Sequence, residues 1–149
     1  MKILAVNAQD APAAMGGCAQ AIDIVGAQRL LIVSGQIPVS ADGHVPSDFD
    51  GQCRLVWANI GVQLRTAGLD FAHLVKVTTY LSDRRYGDAN GAIRREILGA
   101  YAPALTVVIA GIYDENGCPK SRRWQPPEKP GSHAVNARLF PDAFAGASL

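Results

Sequence analysis

Read in chain order, the apolar and polar positions mark out a short series of elements. Ala19–Val25 alternates, with Ala19, Ala21, Asp23 and Val25 against Gln20, Ile22 and Ile24, which predicts a half-buried strand stopped by Gly26. Leu30–Ser34 is a continuous apolar strand, and Ala27-Gln28-Arg29, after the Gly26 stop, is short enough for a hairpin. A loop with glycines at Gly35 and Gly43 follows. Ser47 or Asp48 then caps a helix over Phe49–Ala67, on which Cys53, Val56, Trp57, Ile60 and Leu64 recur at three and four residues before Gly68 ends it. That spacing makes Trp57 a core residue. Leu74–Leu81 (L-V-K-V-T-T-Y-L) alternates and is rich in β-branched side chains, the clearest strand in the chain. Ser82-Asp83 opens a second helix from Arg84 to about Ala100, closed by Pro103. Leu105–Ala110 is an apolar run too short for a core helix and reads as a strand buried on both faces.

The order strand, strand, helix, strand, helix, strand predicts an α+β sandwich, a mixed β-sheet with two helices on one face. The sheet's other face also needs cover. No third helix is available before Pro103, so self-association is the simplest cover. A chain of 149 residues suits one domain. Fourteen basic against 13 acidic residues leave a net charge of +1, which argues against a nucleic-acid partner. No run approaches the roughly 20 apolar residues of a membrane span. The opening Met1–Asn7, soon interrupted by Gln9 and Asp10, is too short an apolar run for a leader, so the expected compartment is the cytoplasm.

Cys18, Cys53 and Cys118 are odd in number and form no CxxC pair; His44, His73 and His133 stand alone. No metal site or disulfide framework is expected, and each histidine reads as solvent-facing. Cys18 has no histidine near it in sequence to activate it and reads as a passive thiol. Arg84, Arg85, Arg94 and Arg95 on the second helix read as a solvated face or as ion-pair partners.

Four blocks, G-G-C-A-Q-A at 16–21, S-G-Q-I-P at 34–38, A-G-L-D-F-A-H-L-V-K-V-T-T-Y-L-S-D at 67–83 and P-A-L-T-V-V at 103–108, resemble the Rid family, also called YjgF or L-PSP endoribonuclease-like. The resemblance spans about residues 10–115. It implies a chorismate-mutase-like α+β fold and a homotrimer, with the sheets lining a central barrel and small-molecule clefts between subunits. It also implies an activity, the hydrolysis of enamine and imine intermediates such as 2-aminoacrylate to 2-oxo acids and ammonia, without a cofactor. In the deaminase branch an arginine after Pro-Ala grips the substrate carboxylate through a bidentate fork. Leu105 occupies that position here, and Cys18 replaces the aromatic residue of the family's G-P-Y-S-Q-A motif. The positions carried over as substrate-binding are Cys18, Ser34, Gly35, Gln36, Asn90, Leu105 and Thr106. The catalytic residues stay unassigned.

The resemblance stops in the tail. Residues 1–115 form the Rid-like domain, and 116–149 an atypical C-terminal segment lacking the family's last strand, whose second glutamate orients the attacking water. The codons open to Asn116–Pro127, read two bases out of phase, can spell W-L-P-E-I-E-A-V-A-A-A, a strand of the family type. The expectation is therefore a frameshift near Asn116. Taken as it stands, the tail is a loosely docked extension in which Val135–Phe140 supplies a short edge strand. Three functions follow: a Rid-like hydrolase or deaminase with altered substrate, a non-catalytic small-molecule-binding trimer, and, ranked last, an L-PSP-type ribonuclease.

Overall fold

The computed structural model describes residues 1–111 and, for its backbone, the strand at 133–139. Cys118, the side chain of His133 and the stretch 116–132 on which the frameshift expectation rests lie outside the described residues. Six strands and two α-helices run in the order β1 (Lys2–Val6), β2 (Ala21–Val25), β3 (Leu31–Gln36), α1 (Phe49–Thr66), β4 (Leu74–Leu81), α2 (Gly87–Leu98), β5 (Ala104–Ile109) and β6 (His133–Leu139). Strands β3, β6, β4 and β5 form one sheet in that order. Strand β5 runs parallel to β4, with α2 as the crossover, and β6 lies antiparallel to both β3 and β4. The chain is thus the expected mixed α+β structure.

Each helix starts where side-chain chemistry allows. The Asp48 carboxylate accepts the Gly51 amide at 2.8 Å, satisfying one of the orphan N–H groups of the first turn of α1. The far end closes in Ala67 and in Gly68, whose φ of +73° suits a residue without a Cβ. Before α2, Asp83 caps a 3-10 turn over Arg84–Tyr86 by accepting the Arg85 amide at 2.9 Å. Tyr86 stacks on Phe49 with ring centroids 4.4 Å apart, joining the starts of the two helices.

The predicted stripe of α1 is the core. Cys53, Val56, Trp57, Ile60 and Leu64 are buried against Val33, Val77, Leu81, Ile93 and Leu98. Along β4, Val77, Thr79 and Leu81 are buried, whereas Lys76, Thr78 and Tyr80 on the opposite face are less so. The helices therefore cover one face of the sheet. The other presents apolar side chains to solvent, Ile32 at 66% exposure and Tyr80 among them. Among the described residues no helix is long and apolar enough to cross a membrane.

Several expectations are corrected. Strands β2 and β3 do not form a hairpin: β2 pairs antiparallel with β1, Lys2 opposite Val25 and Val6 opposite Ala21, in a separate two-stranded sheet. The opening residues Lys2–Val6 supply the partner strand. Strand β5 is not buried on both faces. It lies at the sheet edge, where Val107 and Ile109 stay exposed because the helices do not reach over it. Strand β6 is no edge strand, for it fills the slot between β3 and β4. His73 does not face solvent either; its Nδ1 lies 2.8 Å from the Asp70 carboxylate in a capping box that buries the ring.

Candidate functional site

The candidate residues fall into two groups. The first gathers where the loop Met15–Ala19 crosses α2 and the start of β5. Gly16 and Gly17 have φ of +70° and +72°, a conformation that side chains with a Cβ adopt at a cost. Cys18 Sγ donates to the Met15 carbonyl at 2.9 Å, and the Ala19 amide to the Pro103 carbonyl at 3.4 Å, beside a parallel bridge from Ala19 to Ala104. Cys18 is thereby tied to the strand that carries Leu105 and Thr106.

Beneath the loop, α2 presents Asn90 and, one turn on, Arg94. Asn90 is 1% exposed, its Oδ1 4.0 Å from the Cys53 sulfur. Arg94 is 6% exposed, and its Nη2 donates to the Gly16 carbonyl at 2.6 Å. Burial, followed by the like charge of Arg95, lowers the Arg94 pKa. Burial also pushes the Cys53 thiol up to about 12, so Cys53 is neutral packing. The sequence reading of Arg94 as part of a solvated face is thus overturned, because only Arg95 of that pair points outward.

Leu105 and Thr106 point to opposite faces of the sheet. Leu105 pairs with Val77 and packs against the core, while Thr106 pairs with Thr78 on the open face. The Thr106 hydroxyl accepts from Lys76 Nζ at 2.5 Å.

The second group is Ser34, Gly35 and Gln36 at the end of β3. Pairing with β6 slips there: Val33 faces Ala137 but Gln36 faces Val135, so three steps on one strand match two on the other. Gln36 Nε2 donates to the Ser34 carbonyl at 3.1 Å. Asn59 on α1 holds the following loop by donating to the Ile37 and Val39 carbonyls, both at 3.0 Å.

The two groups do not meet within one chain. Val33, Ala137, Val77 and Leu105 form a single row across the sheet. Ser34 and Leu105 are thus at similar height but separated by three strand spacings, about 14 Å.

Sequence reasoning missed Arg94 and Lys76. The signal for Arg94 was its phase, four residues after Asn90 and four before Leu98, a charge set in the inward stripe of a helix. Among the described residues no carboxylate joins either group. Among the described residues no three His, Cys, Asp or Glu side chains come together.

Comparison with known proteins agrees with this arrangement of elements. Residues 8–114 match the family model described as Endoribonuclease L-PSP. A RutC family protein of Haemophilus influenzae is 39% identical over 79 residues, covering 52% of this chain and 58% of its own length, less than two-thirds. Protein DfrA of Myxococcus xanthus is 32% identical over 111 residues, covering 72% of this chain and 84% of its own. The 2-iminobutanoate/2-iminopropanoate deaminase of Mus musculus is 27% identical over 110 residues, covering 72% and 79%. Among solved structures, the Rid-family protein YyfB of Yersinia pestis superposes with a TM-score of 0.68 at 22% identity, over 95% of this chain and 100% of its own. E. coli TdcF with bound serine superposes with a TM-score of 0.60 at 23% identity, over 93% and 98%. These two share the fold, the chorismate-mutase-like one expected from the four sequence blocks. With the model match spanning most of its length, the chain belongs to the endoribonuclease L-PSP family, also called Rid or YjgF.

Proposed function

We propose that this chain is a small-metabolite protein whose cleft forms between copies of itself, packed through the open face of the sheet as a homotrimer. The observation that carries this reading is the 14 Å division of the candidate residues, together with the apolar, uncovered face between them. A second copy laid on that face would bring the Ser34–Gln36 loop of one chain toward the Cys18–Thr106 region of another. It would also bury Ile32 and Tyr80.

The mouse relative is named for imine hydrolysis, and TdcF was solved with serine. The chemistry proposed here is of that kind: water adds to the carbon of a C=N bond, the bond breaks, and a carbonyl compound and ammonia leave. Leu105 offers no donor where the deaminase branch has a guanidinium, so the preferred substrate differs from that of the branch. A second reading, binding without chemistry, is favoured by the lack of a carboxylate among the described residues of either group. The ribonuclease reading ranks last, since the described residues of the two groups offer no acid–base pair.

Light scattering on the purified chain is expected to give three times 15.8 kDa. Added to 2-aminoacrylate, the trimer should shorten the lifetime of the enamine. A trimer that leaves the lifetime unchanged selects the binding module, and a monomer overturns the shared cleft.

A further inference from the structure

We propose that Arg94 is an anion-binding group, supplied from α2, that receives a small carboxylate under the Met15–Cys18 loop. The inference rests on the small-metabolite reading above and assigns that site its charge-bearing residue. A guanidinium stays ionised, and one withdrawn from water needs acceptors for its donors and a counter-charge. Arg94 has one acceptor, the Gly16 carbonyl at Nη2, while its buried Nε has none. Among the described residues no carboxylate pairs with it. Glu96, on the same helix, is engaged instead by Arg54 through two bonds of 2.7 Å. The other ionisable groups around Arg94 are the Cys18 and Cys53 thiols and Arg95, none of them a carboxylate.

The geometry names the ligand class. Nε and one Nη form the edge of a guanidinium that takes a carboxylate through two parallel bonds. In Arg94 a single carbonyl occupies half of such an edge and the other half is orphaned. A carboxylate displacing Gly16 would satisfy both donors and supply the missing charge. The segment it must lift is tied to α2 by the Arg94–Gly16 bond, anchored at its far end by the Ala19–Pro103 bond, and hinged on two left-handed glycines. Leu105 cannot take this role.

Calorimetric titration of the full chain tests the assignment with pyruvate, pyruvamide as its neutral analogue, and inorganic phosphate. Wild type is expected to bind pyruvate and not pyruvamide. Arg94→Lys, which keeps the charge but not the fork, should weaken pyruvate by about tenfold or more, and Arg94→Met should abolish binding. Arg84→Gln, an exposed arginine outside both groups, should change nothing. Binding of phosphate instead of pyruvate, lost in Arg94→Met, upholds the anion site and reassigns its oxyanion. Equal pyruvate binding by wild type and Arg94→Met, equal binding of pyruvamide, or a wild type that takes neither anion overturns it. Should Arg94→Met not fold, the Arg94→Lys comparison decides alone. A monomeric chain defeats the shared cleft; a trimer without Arg94-dependent anion binding defeats this assignment only.

Discussion

The two described thiols differ in what surrounds them. Cys53 is sealed among Val56, Trp57 and Asn90, and burial holds its pKa at about 12. Cys18 is half-buried in a surface loop. Iodoacetamide at pH 8 is therefore expected to label Cys18 in the native protein and Cys53 only in denaturant, read by peptide mass. Native labelling of Cys53 would contradict the packing of α1. The Arg54–Glu96 pair carries a pH signature. Its hydrogen bonds lower the Glu96 pKa below the ordinary 4.5, so the stabilisation is complete above the unfolded value and is lost as pH falls through the folded one. The stability gap between wild type and Glu96→Gln should accordingly be small at pH 7, as for an exposed pair, and close in acid. A gap that widens in acid would place the carboxylate in another environment.

Elements rest on a few local devices. Asp48→Ala removes the cap of α1 and is expected to cost about 1 kcal/mol by denaturant unfolding. Ile60→Ala, fully buried one turn beyond Val56, should cost about 2–5 kcal/mol. An effect at Ile60 no larger than at Asp48 would mean that α1 does not anchor the core. These same elements were the legible ones. The repeat of Cys53, Val56, Trp57, Ile60 and Leu64 defines a helix face whatever its partners, and L-V-K-V-T-T-Y-L alternates strongly enough to place β4 at its exact residues. Pairing was less legible. Local pattern cannot say that β2 turns to β1 rather than to β3, since both strands offer similar edges. Nor could the apolar run of β5 distinguish a strand buried on both faces from one left partly exposed at a sheet edge. At the candidate site, the motif proposed Cys18 and Thr106 by position, whereas the burial of Arg94 under the Gly16 loop needed three dimensions. A charge in a helix stripe has meaning only once the loop above it is known.

For the whole molecule the decisive element is β6, which joins β3 to β4 and so connects the two groups of candidate residues through one sheet. A proline at Asn136, opposite Thr78, removes a ladder donor from the centre of that sheet, so Asn136→Pro should destabilise the chain by about 3 kcal/mol or more. The origin of the strand is a separate question. We propose that the coding sequence leaves its frame near Asn116, because the out-of-phase W-L-P-E-I-E-A-V would supply a strand of the kind this family places after β5. The two versions then compete for one slot, and the shifted one carries two glutamates in its strand, where the described residues of both groups hold no carboxylate. The proposal is strict at the codon level, since its second glutamate requires an AGA or AGG codon at Arg122 preceded by a Ser121 codon ending in G. Sequencing the gene across residues 116–127 settles this, and any other codon at Arg122 ends the idea. With the codons permitting, a chain rebuilt in the shifted frame should melt higher than the present one. Leu105→Arg in the rebuilt chain should then raise 2-aminoacrylate hydrolysis, whereas the same substitution in the present chain, setting an arginine against the core beside Val77, should chiefly cost stability.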